Sequence, residues 1–544
     1  MMPELTWILL LLLACMPCLA LTAWRRRAPV RGEGRRIMAP GKTMSVIAAL
    51  LASFFPGTRP GTSEWSVPWM QAAQAAQSTT GPVDAVIRYH EFSSVSRSGV
   101  FGRAPGVDWG APPPAFKSYP DASHVTLAHV SLDGRTLGTA LRTPAPRTKR
   151  LRLDELGEML YLAAGVTERH GGHALRSSPS AGGLFPSELY VVVRAIDGLP
   201  AGLYHYDAEH HRVDALGAVP ATFGAPDADG ADAVVLVSAM FRRTGYKYRD
   251  RTYRLTVADA GHLLENLRVA AHALGMQATP LAQFDEARAA KAIGVDGVEE
   301  GVLAVMDLRR ATGDATPPGR PSREHFAAAQ APENTSIGVT GVVQRATSLH
   351  LVPEDVPSGA IPLPPSEAAS RDAQDTIVHR RSMRRYSTEP VPLAALSSML
   401  ADMALPPQLS NAIRIHLVIN RVAGLRPGVY RYVTGHRLVR VRDGDVAATA
   451  QSAALSQDVI GAAAVVLVLS VDRERMLEQG ARGYRHAYLE AGMMSERWLL
   501  GAVARGLAAC PVGAFYDDEA AALIGADTHH EWVLHFAALG IAAR

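Results

Sequence analysis

Ala233-Val-Val-Leu-Val237 and Ala464-Val-Val-Leu-Val468 are one pentapeptide written twice, 231 residues apart, and the same shift carries much of the neighbouring chain with it. It places Ala260-Gly261 on Ala491-Gly492, Gly275 on Gly506, Pro280 on Pro511, Phe284 on Phe515 and Ile293-Gly294 on Ile524-Gly525, without a gap. Slightly different shifts align Gly202-Leu-Tyr-His-Tyr206 with Gly428-Val-Tyr-Arg-Tyr432, and Leu153-Asp-Glu-Leu156 with Leu393-Ala-Ala-Leu396. Order is preserved throughout, which marks a tandem duplication.

Within each copy the hydrophobic spacing predicts an amphipathic helix (Leu153 to Ala164; Leu393 to Met403) followed by an apolar strand (Leu189 to Val193; Ile413 to Ile419). A Gly-x-Tyr-x-Tyr hairpin follows, then a buried strand (Ala233 to Ser238; Ala463 to Ser470) and a long helix (Thr256 to Leu274; Tyr488 to Gly506). Regular β-α-β alternation is missing. The expected class is therefore α+β, with helices flanking a central, mostly antiparallel sheet in each of two tandem domains.

Working outward, 544 residues exceed one ordinary core, and 48% apolar against 20% charged residues suits globular bodies rather than a disordered chain. The net charge of +3 is small and the arginines are dispersed, so no nucleic-acid partner is expected. Cys15 and Cys18 lie in an apolar N-terminal run and only Cys510 lies in the body, which excludes a disulfide framework there. His170, His173, His210, His211, His529 and His530 stand in turns without a matching carboxylate or cysteine set, and no metal site is expected.

The chain divides into a hydrophobic segment (1–28), a low-complexity linker (29–82), a first domain (83–310), a Pro-rich linker (311–374) and a second domain (375–544). Leu5 to Ala23 is long enough to span a bilayer, and Arg25, Arg26 and Arg27 follow it. The positive-inside rule then predicts a single membrane-anchor helix with the body in the cytoplasm. A later start, at Met38, Met44 or Met70, would instead leave a cytoplasmic protein without an anchor.

Two segments carry chemistry. The loop Ser178-Pro179-Ser180-Ala181-Gly182-Gly183-Leu184-Phe185-Pro186 runs straight into a strand, and its small side chains let a flat ligand reach the backbone amides; a plain turn is the bland alternative. His379-Arg380-Arg381-Ser382-Met383-Arg384-Arg385-Tyr386 gathers guanidinium forks and a hydroxyl, which suits a terminal phosphate; a solvated basic patch is its alternative.

PSAGGLFPSELYVVV (179–193), the Gly-x-Tyr-x-Tyr hairpin, the KY-x-x-R-x-Y-R stretch (247–254) and DAGHLLENLRVAAHALGM (259–276) resemble the nitroreductase superfamily, and within it the SagB/ThcOx-type dehydrogenases. The resemblance covers about Val83 to Leu308 and, more weakly, about Asp375 to Arg544. It implies FMN bound between two subunits, here an intrachain pseudo-dimer. One half would supply the phosphate clamp (Arg380, Arg381, Ser382, Arg384) and a loop beside the flavin (Pro511, Val512, Gly513, Ala514), with Arg544 near the phosphate. The other would supply Pro179, Ser180, Ala181 and Gly182, with Lys247 and Tyr248 as the catalytic pair.

The counterparts are eroded. The first copy has Leu141-Arg142-Thr143-Pro144-Ala145-Pro146-Arg147 where a clamp belongs. The second has the shorter Pro406-Pro407-Gln408-Leu409-Ser410-Asn411 for the loop, and Gly483-Tyr484 stands opposite the Lys-Tyr pair. The retained parts compose one site, so one FMN per chain is expected. The resemblance implies oxidation of an azoline-like ring in a modified peptide or related small molecule, in which a desolvated Lys247 or the Tyr248 hydroxyl removes a proton and peptide-modifying proteins act as partners. An NAD(P)H-dependent nitro- or quinone reductase, and a flavin-binding or scaffold protein without turnover, are the alternatives.

Overall fold

The continuous apolar runs form the central strands of two sheets whose faces are both covered, which is why they read as unbroken hydrophobic stretches rather than as alternating ones. A computed structural model describes residues 81–97, 109–132, 134–144, 146–311, 325–328, 349–352 and 358–543. The Leu5–Ala23 run, Arg25–Arg27 and Arg544 lie outside the described residues. Among the described residues no helix is long and apolar enough to cross a membrane.

The first copy opens with helix α1 (Pro82–Ser93), then β1 (His124–Thr126), α2 (Leu153–Ala164), β2 (Ser187–Val193), β3 (Gly202–Asp207), β4 (Arg212–Gly217), β5 (Ala233–Met240), α3 (Phe241–Tyr248), α4 (Thr252–Ala273), β6 (Met276–Pro280) and β7 (Glu300–Arg310). The second contains β8 (Ile361–Pro362), α5 (Ala373–His379), α6 (Leu393–Met403), β9 (Ile413–Ile419), β10 (Gly428–Val433), β11 (Arg437–Asp443), β12 (Val465–Asp472), α7 (Arg482–Ala504), β13 (Ala508–Val512), α8 (Asp517–Ile524) and β14 (Glu531–Gly540). The sheets run β1-β4-β3-β2-β5-β7-β6 and β8-β11-β10-β9-β12-β14-β13, the same order in each copy, with every neighbouring pair antiparallel. The Gly-x-Tyr-x-Tyr segments are β3 and β10, each folded as a hairpin with the next strand.

The Pro-rich stretch 311–374 is more than a tether. Ile361–Pro362 is the edge strand of the second sheet, and Ala369 and Arg371 accept backbone hydrogen bonds from Gly138 and Leu137 of the first copy. Helix α1 begins at Pro82, the last residue assigned to the first linker.

The two copies meet along α4 and α7, which are almost wholly buried. A Cβ added at Gly261 would fall on the Leu489 carbonyl, and one added at Gly492 on the Ala258 carbonyl. These contacts are mates under the shift of 231, so a pseudo-twofold axis passes between the two glycines. Polar pairs cross the seam beside it: His262 Nδ1 lies 2.7 Å from Glu496, and Arg497 donates to Glu265 at 2.8 Å. The axis corrects one alignment. It puts Tyr484 opposite Tyr253, and therefore Glu478-Gln479, not Gly483-Tyr484, opposite Lys247-Tyr248.

Gly261→Ala and Gly492→Ala should each lower stability by about 1–3 kcal/mol, because a methyl group must force the helix backbones apart. Calorimetric melting checks this; a midpoint unchanged in both variants contradicts the close crossing.

Candidate functional site

Retained segments of both copies converge on one cavity of about 280 Å³. From the first copy it is walled by Pro179, Ser180, Ala181 and Gly182, by Lys247 and Tyr248 at the end of α3, and by one face of α4. From the second it is walled by Ser382 and Arg384, by Pro511 to Ala514 at the end of β13, and by His535 of β14.

The small-residue loop is anchored from below. Ser180 Oγ donates to Asp259 at 2.5 Å, Ala181 N–H donates to the same carboxylate at 3.1 Å, and Phe185 N–H donates to Ser180 Oγ at 2.9 Å. Gly182 adopts φ 65°, and a Cβ there would stand 3.0 Å from both Lys247 Nζ and Tyr248 Oη. Only glycine fits that conformation and that approach without strain. The loop thus holds the Lys-Tyr pair at the cavity wall.

Lys247 is exposed and Tyr248 half-buried, with burial raising the Tyr248 hydroxyl above its ordinary pKa. A desolvated lysine is therefore not what the fold supplies, since the short helix α3 ends at the surface.

The clamp residues separate by direction. Ser382 and Arg384 face the cavity, with Met383 N–H fixed to the Ala509 carbonyl at 3.0 Å. Arg381 points away, donating to Glu168 at 2.6 Å and to the Val378 and Arg380 carbonyls. It pins the first copy's ribbon (Val166–His170 with His173–Arg176) and does not line the cavity. Arg380 is buried behind the wall, donating to the Ser177 carbonyl at 2.9 Å and lying 3.7 Å from Glu496.

The cavity floor holds polar groups that the sequence did not mark. Leu255, Ala258, Asp259 and His262 share one face of α4 at spacings of three and four, and two of them are polar on an otherwise buried helix. That mismatch was the available signal. Burial pushes Asp259 up to about 7 and Glu496 up to about 8, and holds His262 and His535 down at about 3. Among the described residues, His535 Nε2 at the cavity and Arg380 Nη1 behind its wall are buried without a hydrogen-bond partner. An unpartnered polar atom in a cavity with a serine and an exposed arginine fits a polar ligand carrying an anionic group.

The loop Pro511–Ala514 is held at its far end. Gln457 donates to the Ala514 carbonyl at 2.9 Å, and Asp517 takes both Arg251 and Arg254 at 2.5 Å. These cations keep the Asp517 carboxyl well below its usual range.

In the seam, Arg497 donates to the carbonyls of Met403, Leu405 and Pro407, and Arg268 to that of Leu141 at 3.2 Å. At the pseudo-symmetric position, the mates of Tyr248 and Leu255 make hydrogen bonds of their own. Gln479 donates to Leu409, and His486 lies 2.9 Å from the Ala282 carbonyl. Arg142, in the eroded clamp, donates to Gly138 and to Asp402. Yet Ser410 binds Glu490 as Ser180 binds Asp259, so the eroded loop keeps its anchor.

The nitroreductase family profile matches residues 147–307 and 377–541. A protein of Methanocaldococcus jannaschii named as a nitroreductase is 32% identical over 159 residues, 27% of this chain and 80% of that one. The trifolitoxin-processing protein TfxB of Rhizobium leguminosarum bv. trifolii is 29% identical over 185 residues, 30% of this chain; the match spans about half, 49%, of that relative. A crystal structure of a nitroreductase from Anabaena variabilis shares the fold at TM-score 0.64 and 22% identity, covering 84% of this chain and 99% of its own. The chain belongs to the nitroreductase family, whose members are generally FMN-dependent oxidoreductases.

Asp259 holds a proton in the folded chain that the unfolded chain releases between about pH 4 and 7, so stability should fall as pH rises through that window. Glu496 adds a fall of the same sign between about pH 4.5 and 8, overlapping that window and extending beyond it. Asp259→Asn should flatten the loss between pH 4.5 and 7, measured as urea midpoints. Parallel slopes for variant and wild type contradict this.

Proposed function

We propose that the cavity holds one FMN between the two copies and that the chain is a SagB/ThcOx-type dehydrogenase, acting on an azoline-like ring of a modified peptide or a related small molecule. The observation that carries this reading is the convergence of the Pro179–Gly182 loop, Lys247, Tyr248, Ser382, Arg384 and Pro511–Ala514 on a single cavity, while at the mate position Gln479 and His486 bond to the Leu409 and Ala282 carbonyls.

The chain's own residues divide the work. Ser382 Oγ and the Arg384 guanidinium bind the phosphate through charge-assisted hydrogen bonds. His535 lines the cavity and offers Nε2, without a partner among the described residues, toward the polar edge of the ligand, while Arg380 stands behind the wall on the Ser177 carbonyl. The Ser180–Gly182 loop and the Pro511–Ala514 loop form opposite walls, and neither carries a side chain larger than valine beside proline. Bound FMN supplies two-electron oxidation at this place.

Tyr248 Oη and Lys247 Nζ, both against Gly182, take the substrate proton. Tyr248 is the shielded member and Lys247 the one in contact with water. The acceptor is the Tyr248 phenolate, whose own proton has passed to solvent by way of Lys247 and whose charge the Lys247 ammonium offsets; taking the substrate proton returns it to the neutral phenol. This arrangement favours a dehydrogenase over a reductase of nitro or quinone compounds, which needs no base. Peptide-modifying proteins are the proposed partners, in keeping with the name of the trifolitoxin-processing relative.

Arg384→Ala and Ser382→Ala should each release FMN, by loss of contacts worth about 1.5–3 kcal/mol apiece, whereas Arg142→Ala should leave binding unchanged. Lys247→Ala and Tyr248→Phe should keep FMN and lose turnover by about a hundred- to ten-thousand-fold. Fluorescence titration of FMN and an azoline-oxidation assay read these outcomes. Equal sensitivity of Arg142 and Arg384, or wild-type turnover in Tyr248→Phe, overturns the assignment.

A further inference from the structure

The pseudo-twofold axis relates two seats on the outer side of the seam, and among the described residues only one of them is filled by the chain itself. In the second copy the segment Tyr89–Arg97, running out of α1, lies against α8 and β14. His90 stacks on Trp532 with ring centroids 3.8 Å apart and meets the Tyr484 hydroxyl at 3.2 Å. Val95 pairs with Asp517 in both directions. Its N–H donates to the carboxylate at 2.7 Å, and its carbonyl accepts from the Asp517 N–H at 2.8 Å. Arg97 then closes on Glu519 at 2.7 Å.

The shift of 231 gives every part of this seat a mate in the first copy. Asp517 corresponds to Glu286, Arg251 to Arg482, Arg254 to Arg485, and Tyr484 to Tyr253. The mates repeat the same arrangement: Arg482 and Arg485 both pair with Glu286, as Arg251 and Arg254 pair with Asp517. Glu286 is likewise the first residue of its helix (Glu286–Ile293), where the N–H has no intrahelical partner. Trp532 corresponds to Gly301, and the space left is a cavity of about 590 Å³ walled by Phe241, Tyr253, Glu286, Ala287, Lys291 and Arg485. Among the described residues no segment enters it.

One substitution changes what this second seat would select. Glu519, which takes Arg97, corresponds to Arg288, which forms an exposed pair with Asp285 at 3.3 Å, and exposed Lys291 stands one helical turn further on. The acidic side chain at the position that reads the residue two beyond the backbone pair has therefore become a basic one, held only by a solvent-exposed pair.

We infer that the first-copy seat docks an extended peptide segment of another polypeptide. The segment pairs its backbone with Glu286, as Val95 does with Asp517, and carries an acidic residue two positions later. The seat is separate from the cavity assigned to FMN, so its test needs no flavin.

The probe is a fluorescein-labelled nonapeptide of the sequence Tyr89–Arg97 and its Arg97→Glu variant, titrated by anisotropy into the full chain. The covalently tethered strap keeps the second-copy seat occupied, which directs the free peptide to the first. The glutamate form should bind about threefold tighter than the arginine form, an exposed ion pair being worth less than about 1 kcal/mol. Arg288→Glu should reverse that preference. Ala287→Trp, a change at an exposed wall position, should weaken both peptides at least tenfold. Absence of saturable binding, binding that ignores Ala287→Trp, or a preference untouched by Arg288→Glu overturns the inference. So does a dimer in sedimentation that Ala287→Trp dissociates, because the seat would then take a second copy of the chain.

Discussion

Two glycines let α4 and α7 touch backbone to backbone, and the rest of the molecule follows from that contact. A side chain at either position would separate the helices by the width of a methyl group. The buried pairs His262–Glu496 and Arg497–Glu265, which span the seam close by, would then be left as uncompensated polar groups in the interior. The crossing also sets the distance between the Ser180 loop, anchored on α4 through Asp259, and the Pro511–Ala514 loop, anchored by Asp517 on Arg254 of α4 and on Arg251 just before it. Both walls of the cavity are thus referred to one helix. The seam is at once the core of the fold and the frame of the site.

Duplication supplied two equivalent places, and the chain has treated them differently. At one, small residues and unpartnered donors leave room beside Ser382 and Arg384. At the other, Gln479 and a neutral His486 bond to the Leu409 and Ala282 carbonyls. Those carbonyls are thus satisfied by the chain itself. The outer seats show the same divergence in reverse: the second copy's is closed by the chain's own strap, whereas no described segment enters the first copy's.

Much of this architecture was legible in the sequence. The helices Leu153–Ala164 and Leu393–Met403 and the strand Ile413–Ile419 match the apolar spacing at both ends. The long helices begin earlier than the spacing suggests, at Thr252 and Arg482, because Arg254 and Arg485 interrupt the apolar pattern. Their partners, Asp517 and Glu286, lie far away in the chain, and periodicity is blind to long-range pairing. The clamp was readable as a cluster but not as a set of directions. In an extended stretch alternate side chains face opposite ways, which sends Ser382 and Arg384 inward and Arg381 out to Glu168. Asp259, His262 and His535 escaped because single polar residues on buried elements look like satisfied core positions until the cavity is seen.

The central claim is that one complete flavin site exists in a chain with two nitroreductase-like halves. It is tested most directly by the stoichiometry of FMN in the reconstituted protein, from flavin absorbance against protein concentration after removal of free cofactor. The account predicts one FMN per chain. Two FMN per chain would contradict it, because the second would have to displace Gln479 and His486 from the Leu409 and Ala282 carbonyls.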